Sequence, residues 1–375
     1  MLEFCASAVR AFRRSRIEAI GQEDFRMRID RHFRAAMLAV MSVLMSVLMA
    51  GTFSGAGAAE AINLYTTREP ALIAPLTEAF TKKTGTVVKT VFVKDGLAER
   101  VAAEGANSPA DLLMAVDFGN LADFADRGVT QPIISEAVLA AVPAHLRDPE
   151  GQWVALSLRA RVLYVSKGEA ARKSFTYEAL ADPEWKGRLC IRSGQHPYNT
   201  ALVAAYIARH GEAKAESWLR GVKANLARKP GGGDRDVARD ILGGLCDAGI
   251  GNSYYVGLMR SGAGGPEQKK WGEGIGVVLP VFENGGTHVN VSGAALAKHA
   301  PNKEGAVKFL EFLLSDEGQD LYARANFEYP VKAGVKVAPV IAELGELKAD
   351  ATPLVEISRH RKQASELIDR VGFDS

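Results

Sequence analysis

The sequence predicts an α/β protein of two lobes, each a mixed, mainly parallel sheet flanked by helices. Three observations carry that prediction. Short apolar segments of strand character alternate with segments of helical apolar spacing, the pattern of a parallel sheet. The chain has 375 residues, more than the size at which one hydrophobic core stops growing. Apolar residues make up 47% and charged residues 24%, a globular balance that excludes a disordered chain.

Before the lobes comes a targeting segment, residues 1–59. Arg28, Arg31 and Arg34 precede the apolar run 35–50, and the small residues 51–59 follow, which are the three parts of a secretory signal. The apolar run is shorter than a membrane span, so export through a Sec-type signal to the periplasm is expected, with cleavage after Ala58 or Ala59. A signal beginning at Met27 leaves residues 1–26 extraneous, and Arg13 and Arg14 stand too far from the run for a twin-arginine signal. The first 58 residues hold 8 Lys or Arg and 5 Asp or Glu of the chain's 46 and 44, so the remainder carries 38 and 39, a net −1. That balance leaves no electrostatic footprint for nucleic acid or an anionic membrane. Cys5 goes with the leader. Cys190 and Cys246 remain as a pair in an oxidising compartment. Each stands eight residues before a tyrosine, Tyr198 or Tyr254. They read as a bridge across two neighbouring strands beneath a site, or as two free buried thiols.

In chain order, residues 61–65 alternate as a first strand, and Thr66 to Pro70 is a loop opening a helix whose apolar face is Leu72, Ile73, Leu76 and Phe80. Gly85 stops that helix. Residues 87–93 form a second strand, Asp95-Gly96-Leu97 turns into another helix, and Pro109 to Ala115 leads to a third strand. Asp117 follows at its carboxyl end, where an aspartate is either part of a site or simply a helix cap. Residues 153–165 form the longest strand. Its Arg159 and Arg161 share one face because side chains repeat every two residues. Two arginines in an apolar strand must edge a cleft, meet an anion or pair with carboxylates.

The second half opens with a short helix and turn at 177–188 and a strand at 189–192. Pro197 then suits the first position of a helix carrying Leu202, Val203, Tyr206 and Ile207. Tyr198 therefore sits in a first helical turn just past a strand. Tyr254 and Tyr255 sit in the same kind of place, after the apolar segment 248–250, with Ser253 as expected cap. Taken alone, adjacent tyrosines read as packing. The repeated geometry points further, because the carboxyl ends of strands are where open α/β sheets bind ligands. Helix amino ends favour anions, a phenolate included, and a metal cation completes the ionisation. Thr66, Ser193, Gly194 and Asn252 are candidate donors to a small bound anion. Hard anionic oxygens in this number suit ferric iron, whereas softer metals call for more Cys and His. Lys229 to Asp236 lacks the Lys-Ser/Thr of a phosphate loop and reads as a flexible loop with Asp234 as a cap. His196 and His288 read as single surface histidines in loops. Strands at 275–279 and 288–296 follow, then helices at 303–314, 315–325 and 353–371.

The motifs Leu64 to Pro70, Pro109-Ala110-Asp111, Val116 to Leu121, Arg159 to Val162, Arg192 to Asn199 and Asn252 to Tyr255 resemble the ferric-iron-binding periplasmic proteins of ABC importers. So do the closing patterns from Asn302 to Ala306 and from Asn326 to Val331. The resemblance covers essentially the whole mature chain. It implies the type II periplasmic-binding-protein fold with hinge strands, with lobe 1 formed by 60–158 plus 284–334 and lobe 2 by 159–283 plus 335–375. It implies no enzymatic activity, a monomer, and delivery to the permease of an inner-membrane ABC importer. The family's tyrosine ligands match Tyr198, Tyr254 and Tyr255. Where some members carry a histidine in the first loop this chain has Glu69 and Pro70. That departure points to three tyrosines completed by carbonate or another small synergistic anion held by Arg159 or Arg161, with Glu69 reaching the metal on closure. Asp117 is expected behind the ligands. The rival readings are a receptor for thiamine, a polyamine or a phosphonate, and an exported hydrolase. Neither the Gly-x-Ser-x-Gly elbow nor the His-Glu-x-x-His motif of hydrolases occurs.

Overall fold

Ten short runs of strand character pair into one continuous sheet, seen in a computed structural model that describes residues 61–171 and 174–375. The expected leader and Cys5 lie outside the described residues. In chain order the strands are β1 (Ile62–Thr66), β2 (Val88–Phe92), β3 (Leu112–Ala115), β4 (Thr130–Gln131), β5 (Val154–Val165), β6 (Leu189–Cys190), β7 (Ala248–Asn252), β8 (Gly276–Val278), β9 (Val289–Ala297) and β10 (Tyr329–Pro330). The path across the sheet is β2-β1-β3-β9-β5-β7-β6. Helical crossovers make β1, β2 and β3 parallel neighbours, while β9 returns antiparallel between β3 and β5.

The twelve-residue β5 divides the molecule. Its residues up to Ala160 pair with β9, and those from Arg161 onward pair antiparallel with β7. All twelve are buried, which explains why the run reads as nearly continuous apolar sequence, two arginines apart. The chain crosses back through the segment before β9, where His288 O accepts from Arg161 N at 2.9 Å.

Local chemistry sets the other elements as expected. The helix Pro70–Thr84 buries Ile73, Leu76 and Phe80 and ends at Gly85, whose φ of 77° is left-handed. Glycine adopts that conformation without steric cost. Leu72 instead turns toward the space between the halves. The stretch 353–371 differs from expectation. It forms two helices, Leu354–Arg359 and Arg361–Val371, because His360 leaves helical geometry at φ −94° and ψ 1°. Its ring meets Gln363 Oε1 at 2.9 Å. The first of these helices packs against both Phe118–Asp126 and Pro197–His210, so the tail touches both halves. Among the described residues, no helix is long and apolar enough to cross a membrane.

Candidate metal centre

Both tyrosine motifs begin helices just past strands of the second half. Pro197 is the first residue of the helix Pro197–His210 and Tyr198 the second; the His196 side chain caps it, Nδ1 accepting from Tyr198 N at 3.3 Å. The helix Ser253–Arg260 places Tyr254 and Tyr255 second and third. Its cap is Asn252, not Ser253 as expected. The Ser253 hydroxyl is engaged elsewhere, accepting from Ala160 N at 3.2 Å and tying the helix start to β5.

The three phenols converge on one cleft of about 190 Å³, lined also by Thr67, Arg68, Glu69, Arg159 and Glu328. The rings of Tyr254 and Tyr255 lie 4.1 Å apart between centroids. Burial pushes the Tyr254 hydroxyl well above the phenol range, and the nearby Tyr198 and Tyr255 add to the rise while Arg159 opposes it. Burial also raises Tyr255, again with Tyr198 adding, and Arg192 opposing. These hydroxyls therefore keep their protons at neutral pH until a cation draws the phenolate form. Among the described residues no trio of His, Cys, Asp or Glu is grouped to hold a metal. The oxygen donors that converge are phenolic, with two carboxylates also lining the cleft, the exposed Glu69 and the buried Glu328.

Arg159 is a buried cation of this site, lining the cleft together with Arg68. Its guanidinium lies 5.3 Å from the Tyr198 ring centroid and 6.0 Å from that of Tyr254. Nη1 is 3.4 Å from the Tyr198 hydroxyl, while Nη2 donates to the carbonyls of Val116 and Val291. Buried Nε has no partner, leaving donor capacity beside the phenols.

Most of the other candidate anion donors are already engaged. Arg161 donates to Asp234 at 2.6 Å, Asn252 Oδ1 at 3.0 Å and Asn199 Oδ1 at 2.5 Å, so its charge is matched by a carboxylate rather than offered to the cleft. Ser193 Oγ and Gly194 N donate to the Asp374 carboxylate at 2.5 and 2.7 Å. A residue one place from the C-terminus thus occupies the anion position that the first-turn loop was expected to reserve for a ligand. Thr66 is buried and its hydroxyl accepts from Arg68 N at 2.9 Å; Thr67 lines the cleft in its place. Asn252 faces Arg161 and Asp234, and its Nδ2 has no partner. Asp117 caps the helix Phe118–Asp126 by accepting from Gly119 N at 2.8 Å. It also accepts from Asn290 Nδ2 at 2.6 Å and meets Arg361 at 3.5 Å. Cys190 and Cys246 are bonded, with Cα atoms 5.9 Å apart. Cys190 ends β6, whereas Cys246 lies just before β7 rather than within it.

Sequence reasoning missed the acid–base pair on the cleft floor. Arg68 donates to Glu328 Oε1 at 2.8 Å, Asn326 Oδ1 at 2.7 Å and Ser292 Oγ at 2.5 Å. Glu328 also accepts from Ser157 and from Ser292. Burial opposes ionisation of Glu328, but Arg68 and Arg159 outweigh it and hold the carboxyl below its ordinary range. The two histidines also differ from expectation. His288 is buried where the chain crosses back, and burial lowers it to about 4. His196 is half-buried and likewise lowered to about 4, by burial first and then Arg192, consistent with its role as a neutral acceptor at the cap.

Comparison with known proteins follows the same lines. Residues 107–348 match the family described as bacterial extracellular solute-binding protein. The chain belongs to that family. This solute-binding protein is 41% identical to Iron uptake protein A1 of Synechocystis sp., over 84% of its own length and 88% of that protein's. It is 63% identical to the solved Bordetella ferric binding protein, with a TM-score of 0.81, covering 84% of this chain and all of that one. A Trichodesmium protein solved in complex with iron and citrate ligands is 42% identical, with a TM-score of 0.79, over 84% of this chain and 99% of that one. The solute-binding protein has the type II two-lobed α/β fold, and the proteins it resembles include ones named for ferric binding and iron uptake.

Proposed function

We propose that this solute-binding protein captures ferric iron in the cleft between its lobes through Tyr198, Tyr254 and Tyr255 and delivers it to the permease of an ABC importer. The observation that carries the reading is the convergence of three phenol side chains from two helix starts on one cleft. Three phenolates match the charge of a trivalent cation, and hard oxygen donors match its hardness. The helix amino ends favour the ionised form. Arg159 holds a small synergistic anion such as carbonate in the remaining coordination positions, and Glu69 approaches the metal from the opposite wall. Lobe 1 comprises 60–158 plus 284–334 and lobe 2 comprises 159–283 plus 335–375, hinged where β5 passes from one half of the sheet to the other. The protein works in the periplasm as a monomer after its leader is removed.

Adding ferric citrate to metal-free protein tests this. The expected result is a visible phenolate-to-iron absorption band and a raised melting temperature, since tight binding to the folded state stabilises it. Tyr198→Phe, Tyr254→Phe and Tyr255→Phe each weaken the band. A colourless protein whose melting temperature ignores ferric iron rejects the proposal.

A further inference from the structure

Asp234 does not line the cleft, yet it is tied to every element that presents a phenol there. It is the first residue of the helix Asp234–Leu242, and only 1% of its surface is exposed. Its Oδ2 accepts from Arg161 Nη1 at 2.6 Å and from Asn252 N at 2.9 Å, and its Oδ1 accepts from Arg192 Nη1 at 3.2 Å. Arg161 spans outward from this carboxylate. Nη1 also reaches Asn252 Oδ1 at 3.0 Å, and Nη2 reaches Asn199 Oδ1 at 2.5 Å. Asn199 closes the ring by donating to the carbonyls of Arg192 and Ser193 at 3.1 and 3.0 Å.

The chain positions give this ring its meaning. Asn199 follows Tyr198 directly, Asn252 precedes Tyr254 by two residues, and Arg161 lies on β5, where the sheet halves meet. One buried carboxylate therefore links the two tyrosine-bearing helix starts to each other and to the central strand. Stability is a weak explanation for such a cluster. Replacing a buried ion pair with apolar groups of similar volume is often neutral or favourable, whereas an ion pair with several directed hydrogen bonds fixes relative geometry. The three phenols need that geometry, because they reach one metal from two separate helices.

We infer that Asp234 is a positioning residue for the metal centre, setting through Arg161, Arg192 and Asn252 the separation of Tyr198 from Tyr254 and Tyr255 on which binding of one cation by all three phenols depends. The inference rests on the ferric reading above. Asp234 acts through other side chains and does not touch the metal. The loop Lys229–Gly233, with Gly232 at φ 67°, delivers the carboxylate to its place.

The test compares wild type, Asp234→Asn and the double variant Arg161→Met with Asp234→Leu, each loaded from ferric citrate. Two quantities are read: the number of phenols ionised per iron, from the ultraviolet difference spectrum, and ferric affinity, by competition with a chelator. Wild type ionises three. The double variant removes the Arg161–Asp234 pair together but leaves Arg192, with 13% of its side chain exposed, without its carboxylate, so it folds with a melting temperature below that of wild type. It ionises fewer than three phenols, and its affinity drops roughly 10–100-fold, the usual effect of removing an outer partner of a metal ligand. Asp234→Asn, which keeps one acceptor for Arg161, falls between the two. A folded double variant that still ionises three phenols with unchanged affinity overturns the positioning role while leaving the ferric reading intact. A wild type that ionises none overturns the ferric reading itself, before any variant is compared.

Discussion

Acidification should release iron from this protein along a steep and countable slope. A phenol in water ionises near pH ~10, and burial moves Tyr254 well above that and Tyr255 upward as well. Near neutral pH Tyr254 and Tyr255 therefore start protonated, and iron bound by all three phenolates replaces one phenolic proton at each ligand, three in all. Arg159 stays cationic throughout and adds none. The sign follows directly: protons compete with iron, so affinity falls as pH falls. With three protons displaced, the affinity constant changes by about three powers of ten per pH unit, or roughly 4 kcal/mol at about 1.36 kcal/mol per proton. The assay is competition against a chelator whose own proton uptake is known, repeated across the neutral range, with proton release measured directly in unbuffered solution. A slope of one proton or fewer per iron refutes the reasoning, because at most one phenol is then ionised.

Three further outcomes follow from the same geometry. Glu328→Gln leaves Arg68 buried without its carboxylate and should cost about 3–5 kcal/mol in urea unfolding. Because the Glu328 carboxyl is held low, its contribution is present above the unfolded value of about 4.3 and lost as pH falls through the folded one. The variant should accordingly flatten the acid side of the stability profile, and a loss below about 1 kcal/mol contradicts the buried pair. Replacing Cys190 and Cys246 with serine opens a loop spanning 56 residues, which the chain-entropy estimate values at about 4 kcal/mol; an unchanged urea midpoint contradicts it. Gly257→Ala sets a methyl 2.4 Å from Phe327 Cβ and Cγ, an overpacking of about 1–3 kcal/mol on the helix that carries Tyr254 and Tyr255, which should lower ferric affinity while the isolated helix gains propensity. Unchanged chelator competition by that variant contradicts any link between this contact and the tyrosine site.

Much of the fold is legible because its signals are local. Strand runs, Gly85 and Pro197 each act on their own few residues, and so the first-turn positions of Tyr198, Tyr254 and Tyr255 could be read from the chain. The anion donors could not, because their partners are distant. Ser193 and Gly194 look like free first-turn donors until Asp374 arrives from about 180 residues away. Period-two alternation correctly brings Arg159 and Arg161 to the same tyrosine, at 5.3 and 5.9 Å from the Tyr198 ring centroid. It says nothing of which one meets a carboxylate, and that is settled by Asp234, 73 residues on. Asp234 itself carries the pattern of an ordinary helix cap. Arg68 and Glu328 escape for the same reason, since 260 residues separate them and only the folded sheet makes them a pair.

The most direct measurement is a crystal structure of iron-loaded protein with the metal located by its anomalous scattering at the iron edge. The account predicts one iron within bonding distance of the hydroxyl oxygens of Tyr198, Tyr254 and Tyr255, with Arg159 beside the remaining coordination positions. Iron bound elsewhere, or bound in the cleft with any of the three phenols turned away from it, contradicts the account.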